Sequence, residues 1–503
     1  METPAARSVG ETIRPNAPVV LREPSDVVRL VEAKAEHATA KEERSAKRMN
    51  LLVVAIALGG VFVDAYDFTS LGMGVIQLRS QFHLSASEVG LLSATMAVSA
   101  VFGAGFGGYF VDKLGRRRMF LLDLYFFVIS AVAAALAPNL WVLGVARLMM
   151  GLGVGLDFPV ALSFVAEFST RLKRGSYVNA SYVNWYTAAI LGFAASFVGY
   201  AAGAGPNLWR YEVGFGAVPA LILLVLRYVY MLESPLWAAH RGDLQGAAEI
   251  LRRTRHIEVI VDTSGVSHER PLPSLAENYS VLFSPPYRRR AVLAAIIGWA
   301  QSIEYYAVIF YLPVISQMLF GHSLIRAIEG GVIFSSIGLA GATVQALICT
   351  KTGIRPLTIL GAAIATVSLI GIAAGQSISS LPLEAVALST FMIGHTVGPG
   401  PQGMAYGTLS FPTSIRGTAA GWTQGILRVG SVIGFLVFPI SLAQFGFTAT
   451  FAALAAAPAA ILVATMIIRW EPVGVNIENE EVQKPAKVAP ARLGDLQPAT
   501  ELP

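Results

Sequence analysis

Ionisable side chains stand inside long apolar runs of this chain, and their types and spacing suggest proton and anion chemistry. "GGVFVDAYDFTSLGMG" carries Asp64 and Asp67, three residues apart and so on one side of a helix. "RLMMGLGVGLDFPVALSFVAEF" carries Arg147 and Asp157, with Pro159 and three glycines close by. "GWAQSIEYYAVIFYLP" holds Glu304 with Trp299, Gln301 and Tyr305; "GHTVGPGPQG" holds His395 and Gln402; "GTAAGWTQGILRVGS" holds Arg428. A bare charge in hydrocarbon costs about 2.5–3.5 kcal/mol on the gentlest scale, so each of these marks a candidate site. A carboxylate beside a guanidinium stays ionised, and once protonated it no longer needs that partner. That exchange is what a proton carrier requires. Asp67 with Arg147 is the candidate pair, and Asp64, Asp157 and Glu304 are candidate secondary sites; a static ion pair holding helices in register is the alternative. A buried guanidinium keeps its proton and needs an anion, so Arg428 calls for either a protein carboxylate or a substrate. Trp299, Gln301, Glu304, Tyr305, Gln402 and Arg428 are the candidate substrate-binding residues. Histidine as a residue type can carry protons at physiological pH, so His395 is a candidate carrier, and a hydrogen-bonded structural role is the expectation for it.

The elements that position these residues follow from composition. Hydrophobic residues make up 54% of the 503 positions and charged residues only 14%, against about 25% charged in a soluble domain. Apolar runs of about twenty residues, each long enough to cross a bilayer, recur about twelve times. The predicted fold is an all-α integral membrane protein of twelve transmembrane helices. The net charge of +5 is an orientation signal: Lys113, Arg116, Arg117, Arg118, Arg171, Lys173, Arg174, Lys351, Arg355 and Arg416 fall in alternate loops. That bias places both termini in the cytoplasm and leaves no role for nucleic acid. A polar stretch divides the spans into two sets of six. The expected organisation is a disordered tail over 1–47, a six-helix bundle over 48–232, a cytoplasmic loop over 233–289, a second bundle over 290–469 and a disordered tail over 470–503. Cys349 is the single cysteine, so no internal disulfide forms. No Walker loop, metal-ligand cluster or nucleophile constellation is present, so neither an enzyme, a metal site nor a cofactor is expected.

The halves echo one another: "DKLGRRR" returns as "TKTGIR", and "EFSTRLKRG" returns in degraded form as "FPTSIRG". Repeated halves with matching breakers characterise alternating-access carriers. "GGYFVDKLGRRRMF" resembles the loop 2–3 signature of the major facilitator superfamily, and "RLMMGLGVGLDFP…EF…KRG" resembles its fourth-helix signature. "LESPLWAAHRG" resembles a sugar-porter segment. The resemblance implies two pseudo-symmetric six-helix bundles rocking about a central cavity. In the loop motif Gly108 lets helices approach, Gly115 permits a tight turn, and Asp112 with Arg116 can make charge-assisted contacts between bundles. Simple anchoring explains Arg117 and Arg118 but not these spaced glycines. Glu167, Arg174 and Glu233 join the gate by resemblance to the sugar porters, which also assign proton coupling to the pair at Asp67 and Arg147.

"GLDFP" is similar to the "GGDYP" of proton-coupled phosphate transporters, which implies proton handling at Asp157, and the bent helix is expected to offer that acid to a wet cavity. Gly400 and Trp185 stand where that family binds phosphate through amides, which argues against phosphate itself. The expected function is proton-coupled uptake of a small anionic metabolite, such as an organic or aromatic acid, across the cell membrane by a monomeric unit. A sugar or polyol porter is the alternative, and a non-transporting nutrient receptor the rival from another class.

Overall fold

The computed structural model describes residues 12–13, 19–32, 34–35, 40–169, 171–255, 258–262, 273–321, 323–475 and 477. Residues 1–11 and 478–503, expected to be tails, lie outside it, as do 263–272 of the central loop. The first six spans are Leu51–Phe82, Ala86–Leu114, Arg116–Ala135, Leu140–Phe168, Arg171–Ala201 and Gly205–Tyr230. The second six begin with Arg288–Val308, continued by Leu312–Phe320, then Leu324–Thr352 and Ile354–Ser377. Span ten is Leu381–Val397 with Pro399–Leu409. Thr413–Leu454 bends at Gly446 (φ +76°) to make span eleven and the start of span twelve, which Ala456–Ile467 completes.

Local chemistry sets the boundaries. Ser85 and Glu88 form a reciprocal cap at the start of span two. Asn139 caps span four and Ser323 caps span eight. Gly115 (φ +92°) reverses the chain between spans two and three, and Gly353 (φ +84°) does the same between eight and nine. The two turns are the structural form of the "DKLGRRR" and "TKTGIR" repeat. The helix of span four continues through Pro159.

Two cores result. The larger runs through both bundles and is continuous across them. The smaller lies on the face carrying the central loop, called here the loop face. In it Val19–Leu21 pairs in parallel with Val259–Val261, and Leu21, Val27, Leu30 and Val31 pack on Leu236, Ala239, Ala248 and Leu251. Residues 19–32, expected within a disordered tail, are therefore ordered. A short "VVL" run buries its apolar face only because the distant loop supplies a strand and two helices.

Candidate cavity, gate and proton sites

On the loop face, span two meets span eleven. A Cβ at Gly108 would overlap the Gly417 carbonyl and Gly421, so only glycine allows this approach. One turn on, Asp112 accepts from Gly417 N (3.1 Å), Thr418 N (2.8 Å) and Thr418 Oγ1 (2.8 Å), all on the opposite bundle. Arg116 is buried and donates to Glu167 at 2.7 Å and Asp112 at 3.3 Å. Arg416 of the second bundle reaches Glu167 at 3.6 Å. Glu233 accepts from the backbone N–H of Arg116 (2.8 Å) and Arg117 (3.2 Å), and Trp237 donates to the Asp112 carbonyl. Burial pushes the Glu233 carboxyl above its ordinary range. Arg174 donates to the Ser169 carbonyl at the end of the helix that bears Glu167.

Between the bundles lies a narrow cavity with room for little more than one water molecule, about 10 Å³ by the positions its centre can reach. Phe158, Tyr182 and Trp185 line it from the first bundle, and Gln301, Tyr305, Tyr306, Met404, Leu427 and Arg428 from the second. Trp185 Nε1 donates to the Tyr305 hydroxyl, and Tyr182 donates to Gln301 Oε1 (3.4 Å). Arg428 donates to Tyr306 Oη at 2.6 Å, with the rings of Phe68 and Phe158 at 5.4 and 5.2 Å. Toward the far face the cavity is covered by packed rings: Tyr306 tilted against Phe435 at 4.7 Å, and Phe310 edge-to-face with Phe435 at 4.6 Å. With the loop-face gate also shut, the conformation is occluded.

Two buried polar clusters flank the cavity. In the first bundle Arg227 donates to Asp157 (2.7 Å) and to Asp123 (2.9 Å), and its guanidinium also meets the carbonyls of Phe120 and Ala57. In the second, Glu304 Oε1 lies 2.9 Å from His395 Nδ1, both groups fully buried.

Comparison with known proteins agrees with this architecture. The family model described as "Sugar (and other) transporter" matches residues 30–482. The chain belongs to this family. It is 29% identical over 394 residues to the putative metabolite transport protein YaaU of Escherichia coli, covering 78% of this chain and 85% of that one. It is 27% identical to the arabinose-proton symporter of Bacillus subtilis, covering 86% and 94%. A solved structure of the proton:xylose symporter XylE superposes with a TM-score of 0.73 at 20% identity, covering 87% of this chain and 99% of that one. The fold is therefore the twelve-helix major facilitator fold, and the protein is a secondary transporter rather than an enzyme.

Within this transporter the sequence-derived residues fall into three groups. Gly108, Asp112, Gly115, Arg116, Glu167 and Glu233 meet at one place, and Gln301, Tyr305 and Arg428 line the cavity. The others need correction. Trp299 is 39% exposed on the outer surface, because it lies about 200° around the helix from inward-facing Gln301. Glu304 turns away from the cavity to His395, and Gln402 is buried without lining it. Asp157 sees no wet cavity; it is locked onto Arg227, against Gly60. Asp67 and Arg147 are both buried and interact electrostatically, but no ion pair or hydrogen bond joins them among the described residues. Arg147 donates instead to the Met150 sulfur. Asp64 and Asp67 have different surroundings: Asp64 interacts with Asp157 and Arg428, whereas Asp67 abuts Gly216. Sequence reasoning missed Asp123 and Arg227. Each is a lone charge in an apolar run ("LLDLYFF", "LVLRYVY"), the same signal that singled out Asp157.

Proposed function

We propose that this transporter carries a small organic anion with an aromatic or otherwise flat apolar body, together with protons, into the cell by alternating access. One observation carries the reading. Arg428 stands in the wall of an aromatic cavity, and among the described residues no carboxylate lies within ion-pairing distance of it. A guanidinium cannot discharge itself, and Asp64 attracts it only from beyond contact distance, so once Asp64 is neutralised an anion completes the site. Trp185, Tyr305 and Phe158 offer ring faces to the rest of such a molecule. Phosphate would leave those rings without a partner.

Proton coupling is assigned to Asp67 and Asp64. Both carboxylates are fully buried and accept no hydrogen bond, so neutralising them removes a large desolvation cost. Protonation of Asp67 ends its attraction to Arg147, and opening of the Asp112–Thr418 and Arg416–Glu167 contacts exposes the cavity on the loop face. The charge bias of the loops supports both termini in the cytoplasm, and a plasma-membrane location with a monomeric working unit completes the proposal. A second reading, uptake of a neutral sugar, is favoured by the family and by relatives named for arabinose, xylose and glucose, with Gln301 as the amide that would meet hydroxyls.

Proteoliposomes with an imposed pH gradient decide between these. Benzoate, a dicarboxylate, phosphate and D-xylose are offered in turn. The anion reading predicts benzoate accumulation, abolished in Arg428→Gln and partly kept in Arg428→Lys. Accumulation of xylose undiminished by Arg428→Gln overturns it.

A further inference from the structure

The pair formed by Glu304 and His395 takes no part in the scheme above, yet it is a complete acid–base couple at the back of the cavity. Glu304 comes from span seven and His395 from span ten, and 2.9 Å separates Oε1 from Nδ1. Each keeps one polar atom without a partner: Glu304 Oε2 and His395 Nε2, both fully buried. His395 Nε2 is aimed at Gly400 and the Tyr182 ring, which lines the cavity. The Tyr305 ring, also in the lining, lies 5.3 Å from the imidazole.

Charge counting defines the states of this couple. With one shared proton the pair is neutral overall, whichever atom holds it. A second proton makes it a monocation, which in such a site needs a nearby negative charge. Among the described residues no other carboxylate forms an ion pair or hydrogen bond with it. Span seven contributes Tyr305 and Tyr306, and span five contributes Tyr182 and Tyr186. Spans eight and nine pack glycine and alanine against span ten, at Gly341, Gly361 and Ala365. Arg428, a cation, bonds to Tyr306, and Asp64 of the first bundle interacts electrostatically with both.

We propose that Glu304 and His395 form a proton-binding pair coupled to the cargo: an anion held at Arg428 draws a second proton onto the pair, and anion and proton are occluded together. This rests on the anion reading above and adds to it a proton site in the second bundle, apart from Asp67. The coupling is reciprocal, so each pH unit of acidification tightens anion binding.

The test uses the purified full-length protein and benzoate as the probe, with binding followed by Trp185 fluorescence between pH 5.5 and 8, where benzoate stays ionised. The expected result is an affinity rising by up to about tenfold per pH unit as pH falls, one linked proton's worth. Glu304→Gln and His395→Gln should flatten that slope, Glu304→Asp should restore it, and Glu329→Gln on the exposed surface should leave it in place. Thermal unfolding of each variant separates lost coupling from lost folding. An unchanged slope in both glutamine variants overturns the pair while the anion reading stands. No benzoate binding by the wild type at any pH overturns the anion reading and this inference with it.

Discussion

The two bundles share a fold but divide their buried charge unequally. Near the middle of the first, four carboxylates (Asp64, Asp67, Asp123 and Asp157) face two guanidinium groups, Arg147 and Arg227. In the second, Glu304 is already bound to His395, and among the described residues Arg428 has no carboxylate of its own bundle within pairing distance, Asp64 of the first attracting it from farther off. Were every group ionised, the first bundle would carry an excess of negative charge and the second an excess of positive. A low-dielectric interior tolerates neither excess, so the first bundle must take up protons and the second an anion. The repeated halves have become chemically complementary, one for each of the two cargoes proposed.

Matched substitutions should break that contrast most sharply at the two arginines. Arg227→Gln leaves Asp123 and Asp157 without their shared counter-ion and two backbone carbonyls without a donor. It is expected to destabilise the fold by about 3–5 kcal/mol, read as a large drop in the melting temperature of the purified protein. Arg428→Gln should do the reverse. Among the described residues its side chain hydrogen-bonds only to Tyr306, so the melting temperature should barely move while anion affinity falls by about 2–4 kcal/mol, roughly 30- to 1,000-fold, by calorimetry. If the two variants behave alike, the bundles are not specialised in this way.

How far these roles could be read from sequence depends on whether a partner is local. Apolar runs and alternating basic loops reveal the spans because each span needs only its own residues to be apolar. The gate is legible because Gly108, Asp112, Gly115 and Arg116 recur at helix spacing within one short segment. The cluster at Arg227 was hidden: its acids lie 104 and 70 positions away, and no local pattern announces which lone charges will meet. Trp299 was misplaced for a related reason. Its type suits a binding site, but a two-residue step to Gln301 swings the side chain to the other side of the helix. The strand Val19–Leu21 was missed because three apolar residues in a polar tail signal nothing until their partner at Val259–Val261 is known.

Asp67→Asn sharpens the comparison within the first bundle. An amide keeps the size of the side chain and holds it permanently neutral, as the protonated acid would be. Concentrative uptake driven by a pH gradient should vanish, the accumulation ratio falling to one, while exchange of internal for external anion continues. Asp123→Asn should leave accumulation intact, because Arg227 then retains Asp157 as its counter-ion. Tracer uptake with and without a gradient separates the two outcomes.

The smallest contrast lies on the loop face, where both bundles use a glutamate to hold a glycine turn. Glu233 accepts from Arg116 N and Arg117 N beside Gly115; Glu471 accepts from Arg355 N (2.8 Å) and Val473 N (3.0 Å) beside Gly353. Glutamine at either place turns one accepting oxygen into a donor facing an N–H, at a cost of about 1–3 kcal/mol. The two should nevertheless differ in function. Glu233 steadies Arg116, whose side chain meets Glu167 and, through it, Arg416 of the other bundle, whereas Glu471 accepts from Arg355 and Val473 of its own half. Glu233→Gln should therefore raise loop-face opening, seen as faster labelling of a cysteine placed behind the gate; Glu471→Gln should lower the melting temperature without that change. The pH dependence gives an independent check. Because burial raises the Glu233 carboxyl, the folded state holds its proton more tightly than the unfolded chain does. Stability then falls as pH rises from the ordinary carboxylate range through the raised value, a slope that Glu233→Gln should remove.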